Sequence, residues 1–237
     1  VTTVSDLASV FGLSPSQEDA LVRYVDLLLG WRLGNVTAVR TREEAVERLL
    51  GDSLALLDVP ALATARDRWL DLGAGAGIPG IPLAVARPAT RLTLLESVRK
   101  KCAFLEAAVG TTGLGARAGV VCARSEAFAA LTGGGREAFD VVVARAVASL
   151  AAVVELAAPL LAEGGVLLAV KTAAGAAAEG PAGEAAAARC GLSPGTVTSL
   201  TRSPLEGSVC VAYGKRALAP DWLPRRPGLA TRHPLVP

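Results

Sequence analysis

The sequence predicts an α/β fold: a mostly parallel sheet flanked by helices, closed by a C-terminal antiparallel hairpin and covered by an N-terminal helical cap. Three observations predict it. From Trp69 to Lys171, short apolar and β-branched runs alternate with stretches of helical periodicity, the pattern of parallel strands joined by crossover helices. Phe139-Asp140-Val141-Val142-Val143-Ala144 is almost wholly apolar, as a central strand buried on both faces must be. Trp69-Leu70-Asp71-Leu72 leads into three alternate glycines, Gly73, Gly75 and Gly77, and then into an apolar helical stretch, which reads as strand, tight turn, helix.

In chain order, Ser14-Pro15-Ser16-Gln17 makes a capping box with proline at the first helical position. Leu21, Tyr24, Val25, Leu28 and Trp31 then repeat at three and four residues, so a helix with one inward face follows until Gly34-Asn35. Thr41-Arg42-Glu43-Glu44 is a second capping box, opening a helix striped by Val46, Leu49, Leu50, Leu54 and Leu57. Gly51 inside it costs about 1 kcal/mol relative to alanine. These helices form the cap, residues 1–60.

The α/β part spans 61–216. Its first strand, 69–72, is followed by a helix over about 78–86 with Pro79 in its first turn, and Arg87-Pro88 ends that helix. The second strand, 91–95, finishes at Glu96, where Ser97 can cap a helix with Arg99, Lys100 and Lys101 outward and Phe104, Leu105 and Val109 inward. A third strand, 120–122, precedes Arg124-Ser125-Glu126 and a short helix; Gly133-Gly134-Gly135 reads as a surface loop. The fourth strand ends at Arg145, a helix over 149–163 closes at Gly164-Gly165, and a fifth strand covers 166–171. Residues 173–191 read as a loosely specified helix, 197–200 with 209–213 as the hairpin, and 217–237 as an extended basic tail rich in proline.

Composition narrows the function classes. With 51% apolar residues the chain can bury a sizeable core, yet no uninterrupted run has the length of a membrane span or the layout of a signal peptide. A soluble cytoplasmic protein with no membrane partner is expected. The four cysteines, Cys102, Cys122, Cys190 and Cys210, form no C-x-x-C pair, and neither a zinc site nor a disulfide framework is expected. The single histidine, His233, lies in the proline-rich tail, which argues against Ser-His-Asp or Cys-His catalysis and against a histidine-ligated metal. A net charge of +2 is too small to announce a nucleic-acid partner, although Lys215, Arg216, Arg225, Arg226 and Arg232 face only Asp221 near the end of the chain. The chain begins at Val1 and has no methionine, so the natural start is expected upstream or at an alternative codon.

In a doubly wound sheet, ligands bind beyond the carboxyl ends of the strands, so Asp71 with its glycines, Glu96, Ser125-Glu126 and Arg145 share one crevice. Gly75-Ala76-Gly77-Ile78-Pro79-Gly80 admits three readings: an S-adenosylmethionine cradle, a dinucleotide site, or a purely structural turn. Asp71 favours the first, since an acid ahead of the first glycine would repel a pyrophosphate but could hold a methionine ammonium, directly or through water. Glu96 lies where a carboxylate can accept hydrogen bonds from both ribose hydroxyls, and Glu126 or the backbone beside Ser125 can meet an adenine edge. Each acid alone would also fit a solvated strand end.

A set of longer segments is more specific. Trp31 with Asn35-Val36-Thr37-Ala38-Val39-Arg40, Asp52-Ser53-Leu54, Asp71 through Pro82, Leu94-Leu95-Glu96-Ser97, Arg99-Lys100-Lys101 with Phe104-Leu105, and Ala144-Arg145-Ala146-Val147-Ala148-Ser149-Leu150 carry a resemblance from about Tyr24 to Lys171. By these the chain resembles the RsmG (GidB) family of bacterial small-subunit ribosomal RNA guanine-N7 methyltransferases. Pro224-Arg225-Arg226-Pro227-Gly228 looks like the tail of longer members. The resemblance implies a Rossmann-like class I S-adenosylmethionine-dependent methyltransferase acting on small-subunit ribosomal RNA or the 30S particle, and a monomer is expected. It implies that Gly73 and Ile78 line the cofactor, Glu96 holds its ribose, Ser125-Glu126 contact its adenine, and Arg145 lies at the methyl-transfer site as the candidate catalytic residue. The full candidate cofactor set adds Asp71, Gly75, Gly77 and Ser97. Asn35, Arg40, Arg48, Arg99, Lys100, Lys101 and Lys171 are the implied RNA contacts.

Two positions depart from the family pattern, Leu49 in place of histidine and Thr172 in place of glycine. The competing expectations are an NAD(P)-dependent oxidoreductase, from the overlapping glycine fingerprint, and a catalytically silent RNA-binding or ribosome-assembly module, from those two departures.

Overall fold

Along β1, Arg68–Leu72, successive side chains point to opposite faces, and apolar residues stand on both because both faces are covered. The computed structural model describes residues 2–131 and 134–235. Its sheet has seven strands in the order β3 (Ala118–Cys122), β2 (Arg91–Glu96), β1, β4 (Phe139–Arg145), β5 (Leu161–Thr172), β7 (Ser208–Gly214), β6 (Thr196–Ser199). The first five are parallel; β7 runs antiparallel to both β5 and β6. Chain order reverses between β1 and β4, which opens a crevice at their carboxyl tips.

One face of the sheet, with Trp69, Leu92, Leu94, Val141, Val143 and Leu168, packs against the N-terminal cap. The cap comprises α1 (Val4–Phe11), α2 (Pro15–Gly30) and a continuous winding made of α3 (Arg42–Glu44), a π-helical segment (Ala45–Gly51), α4 (Asp52–Leu54) and a 3₁₀ turn (Ala55–Asp58). The Ser14 and Gln17 box opens α2 as expected, and Gln17 also donates from Nε2 to the Val85 carbonyl at 2.8 Å. The second box is only half formed: Thr41 Oγ1 accepts from the Glu44 N–H, but the Glu44 carboxylate reaches the N–H of Arg40. Gly51 has a packing reason, because a Cβ there would lie 2.6 Å from Pro204.

The other face, with Leu70, Leu72, Val142, Ala144 and Leu167, is covered by α8 (Leu150–Ala157), α9 (Ala173–Arg189) and the C-terminal tail. Several expected boundaries move. The helix after the glycine turn, α5, is Gly80–Ala86, with Pro79 just outside it. Helix α6, Arg99–Thr111, is preceded by Val98, so Ser97 does not cap it, and the short helix α7, Ser125–Ala130, follows β3. Helix α8 stops before Pro159, and Gly164, at φ 76°, lies inside β5 where the register with β4 shifts. Thr172 caps α9, its Oγ1 accepting from the Gly175 N–H at 3.0 Å.

The expectation of an extended tail is overturned. Leu223, Ala230 and Leu235 are buried in the core, and Leu229–Arg232 forms the short helix α10. Of the expected glycine loop, Gly134 and Gly135 donate to the Leu131 and Phe128 carbonyls, while Gly133 lies outside the described residues. No helix among the described residues is long and apolar enough to cross a membrane.

Candidate active site

A cleft of about 260 Å³ opens at the carboxyl tips of β1, β2 and β3. Gly73, Glu96, Ser97, Ser125 and Glu126 all line it, together with Lys101, Ala146 and Val147. The structure thus brings five of the ten candidate cofactor residues to one wall. Gly73 is at φ 67°, and a Cβ there would lie 3.0 Å from Val147, so the backbone is bare where a ligand would lie against it. Glu96 is 6% exposed. Its Oε2 accepts from the Gly75 N–H at 3.0 Å, and its Oε1 from the N–H groups of Ser97 and Val98 at 2.7 and 2.9 Å.

The other five stand behind or beside this wall. Asp71 is fully buried; Oδ2 accepts from the Gly80 N–H at 2.8 Å, and Oδ1 has no partner. It faces the start of α5 and is not among the residues that line the cleft. Burial pushes its carboxyl up to about 7, against the opposing Gly80 N–H, and the nearby Glu96 charge adds to the rise. Gly75 and Gly77 adopt φ of 57° and 82° and shape the turn, while Ile78 is packed in the core. The turn also rests on a residue whose role is not visible in the motif: the Tyr24 hydroxyl donates to the Ala76 carbonyl at 2.6 Å from inside the cap.

Arg145 turns from the tip of β4 toward the cap. Its Nη2 lies 3.1 Å from the buried Asp52 Oδ2 and donates to the Arg48 carbonyl at 2.7 Å, while Nη1 is buried without a partner. Burial lowers its pKa from the ordinary arginine value; Asp52 opposes that shift and Arg48 adds to it. Asp52 is tied from the other side by the Ser203 hydroxyl at 2.8 Å.

The candidate RNA residues divide in the same way. Asn35 and Arg40 line a separate pocket of about 430 Å³ with Trp31 and Arg32. Lys100 lies beside Gly34 of that loop, Arg99 and Lys100 are exposed, and Lys101 turns into the cleft. The Arg48 side chain is exposed, 3.9 Å from Glu44. Lys171 is not available: its ammonium donates to Glu179 at 2.8 Å and to the Ala148 carbonyl at 2.7 Å, and its side chain is 15% exposed. Among the described residues no group of acids, cysteines and histidine has the arrangement of a metal site.

A seven-stranded, mostly parallel sheet with an antiparallel hairpin at one edge and an acid-lined cleft at its switch point defines a Rossmann-like class I methyltransferase fold. The solved S-adenosylmethionine-dependent methyltransferase SibL shares that fold at a TM-score of 0.56 and 17% identity, covering 89% of this chain and 77% of its own. The model of the family described as rRNA small subunit methyltransferase G matches residues 17–204. A Moorella thermoacetica protein named ribosomal RNA small subunit methyltransferase G is 36% identical over 94% of this chain and 92% of its own length. A Laribacter hongkongensis protein of the same name is 44% identical over 67% of this chain and 72% of its own. The chain belongs to the rRNA small subunit methyltransferase G family.

Proposed function

We propose that this protein transfers a methyl group from S-adenosylmethionine to N7 of a guanine in small-subunit ribosomal RNA. The observation that carries the reading is the convergence of Gly73, Glu96 and Ser125-Glu126 on one cleft in a member of this family. The bare Gly73 backbone and the acid-lined cleft fit such a cofactor, which supplies an electrophilic methyl group on a sulfonium centre.

The chain's own residues have three tasks. Glu96 accepts from ribose hydroxyls, and Glu126 and the Ser125 backbone meet the adenine edge. Asp71 holds the start of α5 against the glycine turn, through the Gly80 N–H, so that the turn keeps its shape. Arg145, fixed by Asp52 and the Arg48 carbonyl, orients the incoming base.

Guanine N7 presents an unprotonated lone pair, so the reaction needs no general base, and a site without histidine suffices. Alignment is the main requirement and is able to contribute about 7–11 kcal/mol of the barrier. Asn35, Arg40, Arg48, Arg99, Lys100 and Lys101 contact the RNA, whose target base must be exposed or flipped because a deep major groove would hide N7. The protein acts as a cytoplasmic monomer on the RNA or the 30S particle. No observation favours the oxidoreductase or the silent binding module.

The test is transfer of labelled methyl from S-adenosylmethionine to naked small-subunit RNA and to 30S particles, followed by mapping of N7-methylguanine through selective strand cleavage. Label at one guanine N7 is expected. No transfer to either substrate, or transfer to another atom, contradicts the proposal.

A further inference from the structure

The C-terminal tail lies beyond the region matched by the family model, which ends at residue 204. Yet Gly228 and Thr231 line the same cleft as Ser125 and Glu126. The contact is specific. The Gly228 N–H donates to Glu126 Oε1 at 2.7 Å, while Oε2 lies 3.2 Å from the Ser125 hydroxyl. Glu126 is thereby shared between the tail and the cleft.

The tail is built to stay there. Arg225 donates to both oxygens of Glu155 at 2.6 Å each and to the His233 carbonyl at 2.7 Å, and Glu155 is 2% exposed on α8. Such a two-pronged pair with a buried carboxylate is the strong form of an ion pair. Arg136 donates to the carbonyls of Leu223 and Ala219 at 2.6 and 3.1 Å, and Leu223, Ala230 and Leu235 supply buried apolar anchors. The short helix α10 sits between these anchors and presents Thr231 to the cleft.

We propose that residues 223–235 are a strap that completes the adenine end of the cofactor site, with Gly228 and Thr231 as cofactor-binding residues and Glu126 as the link between strap and ligand. The inference rests on reading the cleft as the S-adenosylmethionine site. A strap docked through Glu126 orders the carboxylate before the ligand arrives, and a ligand that contacts both walls holds the strap down in return, as linkage requires.

The experiment uses the full chain and titration calorimetry with S-adenosylmethionine. Thr231→Trp places an indole over the cleft and is expected to raise the Kd about tenfold or more. The KM for S-adenosylmethionine should rise with it, while the KM for RNA and the thermal midpoint stay near those of the parent. In a second measurement on the unmodified chain, saturating S-adenosylmethionine is expected to slow trypsin cleavage after Arg225 and Arg232. An unchanged or lowered Kd for the variant, or cleavage rates equal with and without S-adenosylmethionine, overturns the strap. A parent chain that binds no S-adenosylmethionine refutes the cofactor reading itself, so the two failures are distinct.

Discussion

Glu96 illustrates how much one side chain is asked to do. A carboxylate offers about four lone-pair positions, and in Glu96 three already accept from the N–H groups of Gly75, Ser97 and Val98. One position remains, so a grip on both ribose hydroxyls requires one of these N–H groups to give way. Glu96→Ala is expected to weaken S-adenosylmethionine binding by about 1.5–3 kcal/mol, the range for hydrogen bonds to a charged group. Calorimetry checks this, and unchanged affinity would remove Glu96 from the ribose site. At Asp71 the prediction concerns pH. Its carboxyl is raised from 3.8 to about 7 in the folded protein, so the native state holds this proton more tightly than the unfolded chain. Its contribution is most favourable below 3.8 and is lost as pH rises to about 7. Asp71→Asn should therefore gain stability relative to the parent across that window in denaturant unfolding; a difference independent of pH would contradict the assignment.

At the level of the element, the glycine turn and the helix after it are one unit. A Cβ on Gly80 would lie 2.6 Å from Asp71 Oδ2, and one on Gly77 would lie 2.4 Å from Ile81. Gly80→Ala should cost about 1–3 kcal/mol of stability, the usual range for overpacking a tight site, measured by urea unfolding. A neutral result would mean that α5 does not seat on Asp71. The link between β4 and the cap is the Arg145–Asp52 pair, with Asp52 2% and Arg145 19% exposed in their side chains. Asp52→Ala leaves that guanidinium without its carboxylate and should cost roughly 3 kcal/mol, the low end for breaking a buried pair because Arg145 keeps some solvent. Loss of less than a third of that would make the contact a minor one.

These elements also show what was legible in the sequence. The strand-turn-helix core and the first capping box were readable because apolar period and cap chemistry are local properties. Helix α1 is not among the expected elements, although Thr3 and Asp6 make a capping box ahead of a short stripe of Val4, Leu7 and Ala8. Gly164-Gly165 resembled a helix stop, but it serves a register shift in β5, which depends on β4 and not on its own neighbours.

For the whole molecule, placement of charge matters more than its sum. Lys100 stands exposed beside the loop that carries Asn35 and Arg40, and its neighbour Arg99 is exposed as well. Replacing both by alanine should make the slope of log affinity against log salt shallower by about 1.4 for a single-stranded target, at ~0.7 per neutralised phosphate, and leave cofactor affinity unchanged. Filter binding over a salt series checks this; an unaltered slope moves the RNA elsewhere. Local charge pattern does not describe the tail. Arg225 looked like part of a solvated basic arm, but its partner, Glu155, lies 70 residues away on α8, a pairing that no local pattern reveals. Likewise Lys171 looked available for RNA and is held by Glu179. Tyr24 beneath the glycine turn belongs with these long-range contacts.

The most direct test is a crystal structure with S-adenosylhomocysteine, the demethylated product. It should place the ribose on Glu96, the adenine between Ser125-Glu126 and Thr231, and the sulfur beside the glycine turn. A product molecule bound away from the tips of β1, β2 and β3 would contradict the account.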